Sequence, residues 1–240
     1  MDKCKIFASI KGRLIVSCQA LENEPLCSPF IMGRMALAAK IGGAACIRAN
    51  SKEDICEIKR IVDLPVIGLK KINYPGCEVY ITPTLKEVFS LIESGADVIA
   101  FDATSRQRPG NVSIKEIICE IKAAGRLAMA DISTFEEGVA AEAAGADIIS
   151  TTMSGYTLYS PETEGPDYRL IYSLSKKCNI PVIAEGRVKT PEQMLECFSR
   201  GAYSVVVGGA ITRPQIITRD FVRAIDAYKN GKKKDEVNVG

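Results

Sequence analysis

Short apolar runs rich in β-branched residues recur along the whole chain, with helical periodicity between them. Eight of them read as strands. They are Leu14–Ser17 (LIVS), Ala45–Arg48 (ACIR), Val66–Leu69 (VIGL), Val98–Phe101 (VIAF), Leu127–Asp131 (LAMAD), Ile148–Thr151 (IIST), Val182–Glu185 (VIAE) and Ser204–Gly208 (SVVVG). The runs are continuous rather than alternating, as expected of parallel strands that meet helices on one face and packed core on the other. Start-of-helix signatures stand between them: Ser51-x-x-Asp54, Thr84-x-x-Glu87, Ser113-x-x-Glu116, Thr134-x-x-Glu137 and Thr190-x-x-Gln193, the last with Pro191 at the first helical position. Apolar stripes at helical spacing follow, such as Ile55, Ile58 and Val62, and Ile114, Ile117, Ile118 and Ile121, and these read as helix-to-sheet packing.

Internal echoes reinforce the pattern. Gly95-Ala96-Asp97-Val98-Ile99-Ala100 is repeated as Gly145-Ala146-Asp147-Ile148-Ile149-Ser150 and, more loosely, from Gly201 to Val206; Leu64-Pro65-Val66-Ile67-Gly68 returns as Ile180-Pro181-Val182-Ile183-Ala184. In the first set a glycine ends a helix and a strand follows at once. Eight strand–helix units in 240 residues predict a (β/α)8 TIM barrel forming one domain over residues 1–240. Residues 1–11 are expected to form a helix covering the barrel bottom, and residues 229–240 a frayed tail. An open doubly wound sheet is the alternative, weakened because no G-x-G-x-x-G follows the first strand.

Composition narrows the chemistry. With 47% hydrophobic and 25% charged residues the chain is ordinary for a globular protein, and a net charge of +2 gives no reason to expect nucleic acid or an anionic membrane as partner. Histidine is absent, so triads and dyads built on histidine are excluded, as is a histidine-held metal; no metal and no cofactor are expected. The nine cysteines contain no C-x-x-C pair and read as reduced thiols of a cytoplasmic protein, with Cys18 beside Gln19 the one candidate nucleophile among them. No apolar run approaches the roughly 20 residues that cross a bilayer.

In such barrels reactive groups sit where strands end. Here nearly every strand interior is apolar and nearly every exit polar: Ser17-Cys18-Gln19, Arg48-Ala49-Asn50, Lys70-Lys71, Asp102-Ala103-Thr104, Asp131, Thr151-Thr152, Glu185-Gly186-Arg187 and Gly208-Gly209. The last two exits predict a phosphate site, because small residues let backbone N–H groups approach an anion, and Arg213 follows. Glycines needed only for tight turns are the simpler reading of the same residues. Aligning Pro65-Val66-Ile67 with Pro181-Val182-Ile183 gives Lys71 the parity of Glu185, so the two are expected to face the interior together while Lys70 faces the helices or solvent. An inward amine and carboxylate suit proton transfer beside a carbonyl, provided Arg48 and burial lower the lysine's pKa; the alternative is an ion pair that only braces the rim. The longest loop, Thr152 to Asp167, is a candidate cover for the site.

Several of these motifs resemble the N-acetylmannosamine-6-phosphate 2-epimerase family. They are Ile15-Val16-Ser17-Cys18-Gln19-Ala20, Gly33 to Asn50 ending in Ile47-Arg48-Ala49-Asn50, Met129-Ala130-Asp131-Ile132-Ser133, the run from Ser150 to Thr157, Ala184-Glu185-Gly186-Arg187, and Gly208 through Arg213-Pro214. The resemblance runs from about Gly12 to about Tyr228. It implies interconversion of N-acetylmannosamine 6-phosphate and N-acetylglucosamine 6-phosphate in bacterial sialic-acid catabolism, without a redox cofactor. It also implies roles: Lys71, in Gly68-x-x-Lys71-x-x-Tyr74, and Glu185 as catalytic groups, Gln19, Arg48 and Asp131 as sugar-binding, and Gly186, Arg187, Gly208, Gly209 and Arg213 at the phosphate. Thr152 and Tyr156 are carried as further sugar contacts. Asp131 is expected to hold Lys71 by charge, with Arg48 and Gln19 stabilising an oxyanion. A Schiff-base lyase using Lys71 on a phosphorylated sugar is the alternative function, and a non-catalytic sugar-phosphate sensor a third. A small amino-sugar phosphate is the expected partner, and a homodimer is carried as an expectation because barrels commonly associate.

Overall fold

The computed structural model describes residues 3–237, with side chains described through residue 230. Eight parallel strands close into a barrel in chain order: β1 (Leu14–Cys18), β2 (Cys46–Asn50), β3 (Val66–Leu69), β4 (Val98–Asp102), β5 (Leu127–Asp131), β6 (Ile148–Ser150), β7 (Val182–Glu185) and β8 (Ser204–Val207). Closure is direct, Leu14 pairing with Val205 and Val16 with Val207. The strands fall within about two residues of the apolar runs.

The side-chain period of two sorts each strand into an inner and an outer row. Ile15, Cys46, Ile67, Val98, Leu127, Met129, Ile148, Ile183 and Val206 fill the interior. Val16, Ile47, Val66, Ile99, Phe101, Ala128, Ile149 and Val182 face the helices. The outer ring comprises α2 (Pro29–Ile41), α3 (Lys52–Ile61), α4 (Leu85–Glu93), α5 (Ile114–Ala123), α6 (Phe135–Ala143), α7 (Tyr168–Lys177) and α8 (Pro191–Ser199). Thr84, Ser113 and Thr134 close full capping boxes with Glu87, Glu116 and Glu137, and Ser51 and Thr190 accept the Asp54 and Gln193 N–H groups. Gly68 marks the closest approach of sheet and helices: a Cβ there would lie 2.7 Å from Ile55 Cδ1 and 2.8 Å from the Ala96 Cβ.

The Gly-Ala-Asp echo has a structural cause. Asp97 donates its N–H to the Val66 carbonyl and accepts the Val66 N–H on Oδ2; Asp147 does the same for Ala128. Each aspartate thus staples the start of one strand to its neighbour, and the glycine before it, at φ +80 and +99, reverses the chain out of the helix.

Helix α1 (Lys3–Ile10) buries Ile6 and Ile10 in the same cluster as the first inward residues of the strands, and the Tyr203 hydroxyl donates to the Phe7 carbonyl. After β8 come a single turn, α9 (Gly209–Thr212), and the long α10 (Pro214–Val237). Where a frayed tail was expected from Lys229, the helix continues to Val237, because lysine, aspartate and glutamate sustain a helix that Gly231 alone weakens by about 1 kcal/mol. Residues 238–240 lie outside the described part. From Thr218 to Asn230 every residue of α10 is exposed, including Phe221, Val222 and Ile225.

Candidate active site

The C-terminal ends of the strands surround a cavity of about 690 Å³. That is within the roughly 300–1,000 Å³ of small-molecule pockets. Lys71, Glu185, Arg48, Gln19 and Thr152 line it together with Gly186, Arg187, Gly208, Gly209, Arg213 and Tyr156. Asp131 lies fully buried and hydrogen-bonded to Arg48, so the residues carried from the resemblance converge here, while Cys18 does not.

Arg48 organises the floor. Its guanidinium is 1% exposed and meets Asp131 end-on, Nη1 donating to Oδ1 at 3.2 Å and Nη2 to Oδ2 at 2.5 Å. Nη1 also lies 3.0 Å from Glu185 Oε2. The Thr152 hydroxyl stands 2.9 Å from Asp131 Oδ1 and 3.0 Å from Glu185 Oε2, able to donate to either carboxylate. Asp131 therefore acts on Lys71 by charge alone, as expected, while its two oxygens hydrogen-bond Arg48, which in turn meets Glu185. Burial and the nearby Asp131 charge push the Glu185 carboxyl up, opposed by Arg48, Thr152 and Lys71.

Lys71 faces the cavity, as parity required. Its backbone N–H donates to Asn50 Oδ1 at 2.8 Å, fixing the chain just beyond β3. Burial, then repulsion from Arg48 and Arg213, lowers its ammonium pKa, against the opposing pull of Glu185 and Asp131. Lys70, one residue earlier, acts instead on Asp54 at the start of α3. Cys18 sits in the outer row against the helices, and burial pushes its thiol up to about 12, which removes it as a nucleophile.

A feature missed in the sequence shapes the wall above Lys71. Val79 to Thr82 folds back between β3 and β4: Lys71 and Ile81 form an antiparallel bridge, and the Asp102 N–H donates to the Ile81 carbonyl. Thr82 holds φ +46, a costly conformation for a β-branched residue, and is locked there. Its N–H donates to the Lys70 carbonyl and its hydroxyl to the Ala100 carbonyl, each at 2.7 Å. Tyr80 thereby joins the cavity lining, its hydroxyl 3.8 Å from the Met153 sulfur. The β-branched and aromatic Val79-Tyr80-Ile81-Thr82 run was the available signal.

The glycine exits adjoin Lys71. Gly186 adopts φ +116, which a side chain would oppose, and Gly208 precedes the short α9. Thr212 ties this edge to β1 by donating to the Ser17 carbonyl. The two arginines are less free than expected. Arg187 donates from Nε to the Gly165 carbonyl and from Nη2 to Thr163 Oγ1, and stacks over Tyr156 at 5.3 Å, so its fork anchors the 152–167 loop. The far side of that loop is tied by the Tyr159 hydroxyl to Glu137 and by Thr157 to Ser133. Arg213 pairs with Glu24 of the β1–α2 loop. Gln19, in the cavity lining, is 6% exposed; its Nε2 donates to Ser17 Oγ, while its buried Oε1 has no partner among the described residues. Among the described residues no group of three or more Cys, Asp or Glu side chains is placed to hold a metal ion.

A closed (β/α)8 barrel that gathers a half-buried amine and carboxylate beside the glycine-lined exits of β7 and β8 has the form of a barrel enzyme, with its site at the C-terminal ends of the strands. Comparison with known proteins makes the class specific. Residues 32–227 match the model of the family described as "Putative N-acetylmannosamine-6-phosphate epimerase". Over 233 residues the chain is 56% identical to a protein of Caldanaerobacter subterraneus named "Putative N-acetylmannosamine-6-phosphate 2-epimerase", covering 95% of this chain and 98% of that one. A Clostridioides difficile protein of the same name is 58% identical over 217 residues, 90% of this chain and 97% of that one. The solved N-acetylmannosamine-6-phosphate 2-epimerase from Clostridium perfringens superposes with a TM-score of 0.90 at 55% identity, covering 91% of this chain and 96% of that one. The chain belongs to the N-acetylmannosamine-6-phosphate 2-epimerase family.

Proposed function

We propose that this chain epimerises N-acetylmannosamine 6-phosphate and N-acetylglucosamine 6-phosphate at C2, within sialic-acid catabolism. The observation that carries the catalytic assignment is the placement of Lys71 and Glu185 in one cavity, with Arg48 beside both. The C2 proton is acidic in the open-chain sugar, where the C1 aldehyde accepts charge. Lys71 as the neutral amine takes that proton, its pKa lowered by burial and by the Arg48 and Arg213 charges, which favours the neutral form. The oxygen at C1 gains negative charge, which Arg48 stabilises. Glu185, its carboxyl pushed up chiefly by burial, is the acid partner, serving the opposite face of C2 or the sugar oxygens. Gln19 Oε1, Thr152 and Tyr156 hold the sugar. Gly186, Gly208, Gly209 and Arg213 hold the phosphate, whose binding energy orients the reacting carbon.

Incubation in deuterated water followed by proton NMR tests the reading. Deuterium is expected at C2 of both epimers, and none with Lys71→Ala; turnover without incorporation would remove proton abstraction. Glu185→Gln separates its two roles. Exchange from one epimer without inversion marks the opposite face, and joint loss of exchange and inversion marks the oxygens. Borohydride with substrate is expected to leave Lys71 unlabelled, whereas the lyase alternative requires a trapped Schiff base.

The exposed apolar residues Phe221, Val222 and Ile225 on α10 support pairing of two copies as a homodimer, measurable by light scattering. None of the described helices is long and apolar enough to cross a membrane, which is compatible with the cytoplasmic setting that the reduced cysteines favour.

A further inference from the structure

We propose that Glu24 is a positioning residue for phosphate recognition: it grips one edge of the Arg213 guanidinium and so turns the opposite edge toward the glycine exits of β7 and β8. The inference rests on the reading of Arg213 as a phosphate ligand. Arg213 donates from Nε to Glu24 Oε1 at 2.7 Å and from Nη2 to Oε2 at 3.0 Å. A guanidinium carries five N–H bonds. Glu24 takes two along one edge, which leaves both on Nη1 and one on Nη2 along the other. That remaining pair of nitrogens has the spacing that suits two oxygens of a phosphate. The arginine stem lies against the glycine turn, since a Cβ on Gly209 would stand 3.8 Å from Arg213 Cδ. Its charge reaches into the site, where it is one of the groups lowering the Lys71 pKa.

Glu24 is itself held in place. It sits in a tight turn whose N–H and carbonyl groups are spent locally, Glu24 N–H on the Leu21 carbonyl and Cys27 N–H on the Glu24 carbonyl. The Leu21 N–H donates to Oε2 at 2.8 Å, and Gln215 Nε2 to Oε1 at 3.3 Å. The carboxylate therefore joins the β1–α2 loop to the β8 exit across a sequence separation of 189 residues. Burial acts to raise its pKa, but Arg213, the Leu21 N–H and Lys71 together hold it below the ordinary carboxylate range, which favours the charged form. A charged, two-point partner removes the rotational freedom that a lone arginine would lose on binding phosphate.

The test uses the full chain with Glu24→Gln, Glu24→Asp, Arg213→Ala and the double variant Glu24→Gln/Arg213→Ala. The readouts are kcat and KM for N-acetylmannosamine 6-phosphate, and inhibition by inorganic phosphate as probe. Glu24→Gln is expected to raise KM and the phosphate inhibition constant about tenfold, while kcat stays within about twofold. Glu24→Asp, which keeps the charge on a shorter arm, recovers part of the loss and serves if the glutamine variant folds poorly. In the Arg213→Ala background the effect of Glu24→Gln disappears. A fall in KM on Glu24→Gln would make Glu24 a competitor for the phosphate and overturn the inference. So would an unchanged KM alongside a strong Arg213→Ala defect, or a Glu24 effect that survives loss of Arg213. An Arg213→Ala variant with normal KM overturns the phosphate assignment itself, and this inference with it.

Discussion

Asp131→Asn isolates the balance of charge under the active site. Arg48 is 1% exposed and Asp131 0%, and the pair makes two hydrogen bonds, so the substitution leaves a buried guanidinium with half its compensation removed. Breaking a buried pair by removing one partner costs about 3–5 kcal/mol. Two contacts persist here: Glu185 Oε2 remains 3.0 Å from Nη1, and the asparagine oxygen still accepts from Arg48 or Thr152. The lower end, about 3 kcal/mol, is therefore expected, corresponding to a fall in Tm of roughly 6–12 °C for a chain of this size. Thermal melts and urea unfolding followed by circular dichroism measure it. A second arm replaces both partners, Arg48→Met with Asp131→Leu, which should cost less than the sum of the two single substitutions because neither member of the pair is left without the other and only Glu185 loses its contact. The reasoning is refuted if Asp131→Asn melts within about 2 °C of the parent, or if the double variant loses the full sum.

Three further outcomes follow from the same coordinates. Activity should rise with pH as Lys71 loses its proton; Arg213→Gln removes a repelling charge, raises the Lys71 pKa and moves that limb to higher pH in kcat–pH profiles. Burial, with a contribution from Glu53, pushes Asp54 up to about 6 from an ordinary 3.8, so its contribution to stability is intact below about pH 4 and is lost as pH rises through about 6. Asp54→Asn should therefore match the parent near pH 4 and be more stable at neutral pH by up to about 3 kcal/mol in denaturant titrations. Gly68→Ala should destabilise by about 1–3 kcal/mol through overpacking, and adding Ile55→Val, which deletes the 2.7 Å Cδ1 contact, should recover part of it.

What the sequence disclosed and what it hid divide along a physical line. Strand interiors, exits and helix caps are local, so the eight runs, the five caps and the inward parity of Lys71 and Glu185 could be read from spacing alone. Partnerships across the rim are set by how loops return, which periodicity does not encode. Asp131 does act on Lys71 by charge, but its hydrogen bonds go to Arg48, because two neighbouring exits can be named from sequence without knowing which side chains meet. Arg187 and Arg213 were expected at the phosphate, and their contacts with the 152–167 loop and with Glu24 were not. The Val79–Thr82 insertion was overlooked because it pairs antiparallel, against the rule that organises every other strand. The α10 helix outran its expected end because a lysine-rich stretch reads as solvated whether it is coil or helix.

The plug that α1 forms has a consequence for isotope work. With Ile6 and Ile10 stoppering the lower end, the barrel is a blind well, and hydrons reach the sugar over its upper rim. The fraction of product carrying deuterium at C2 then gauges how far the proton taken by the base exchanges with solvent at the rim before it is returned.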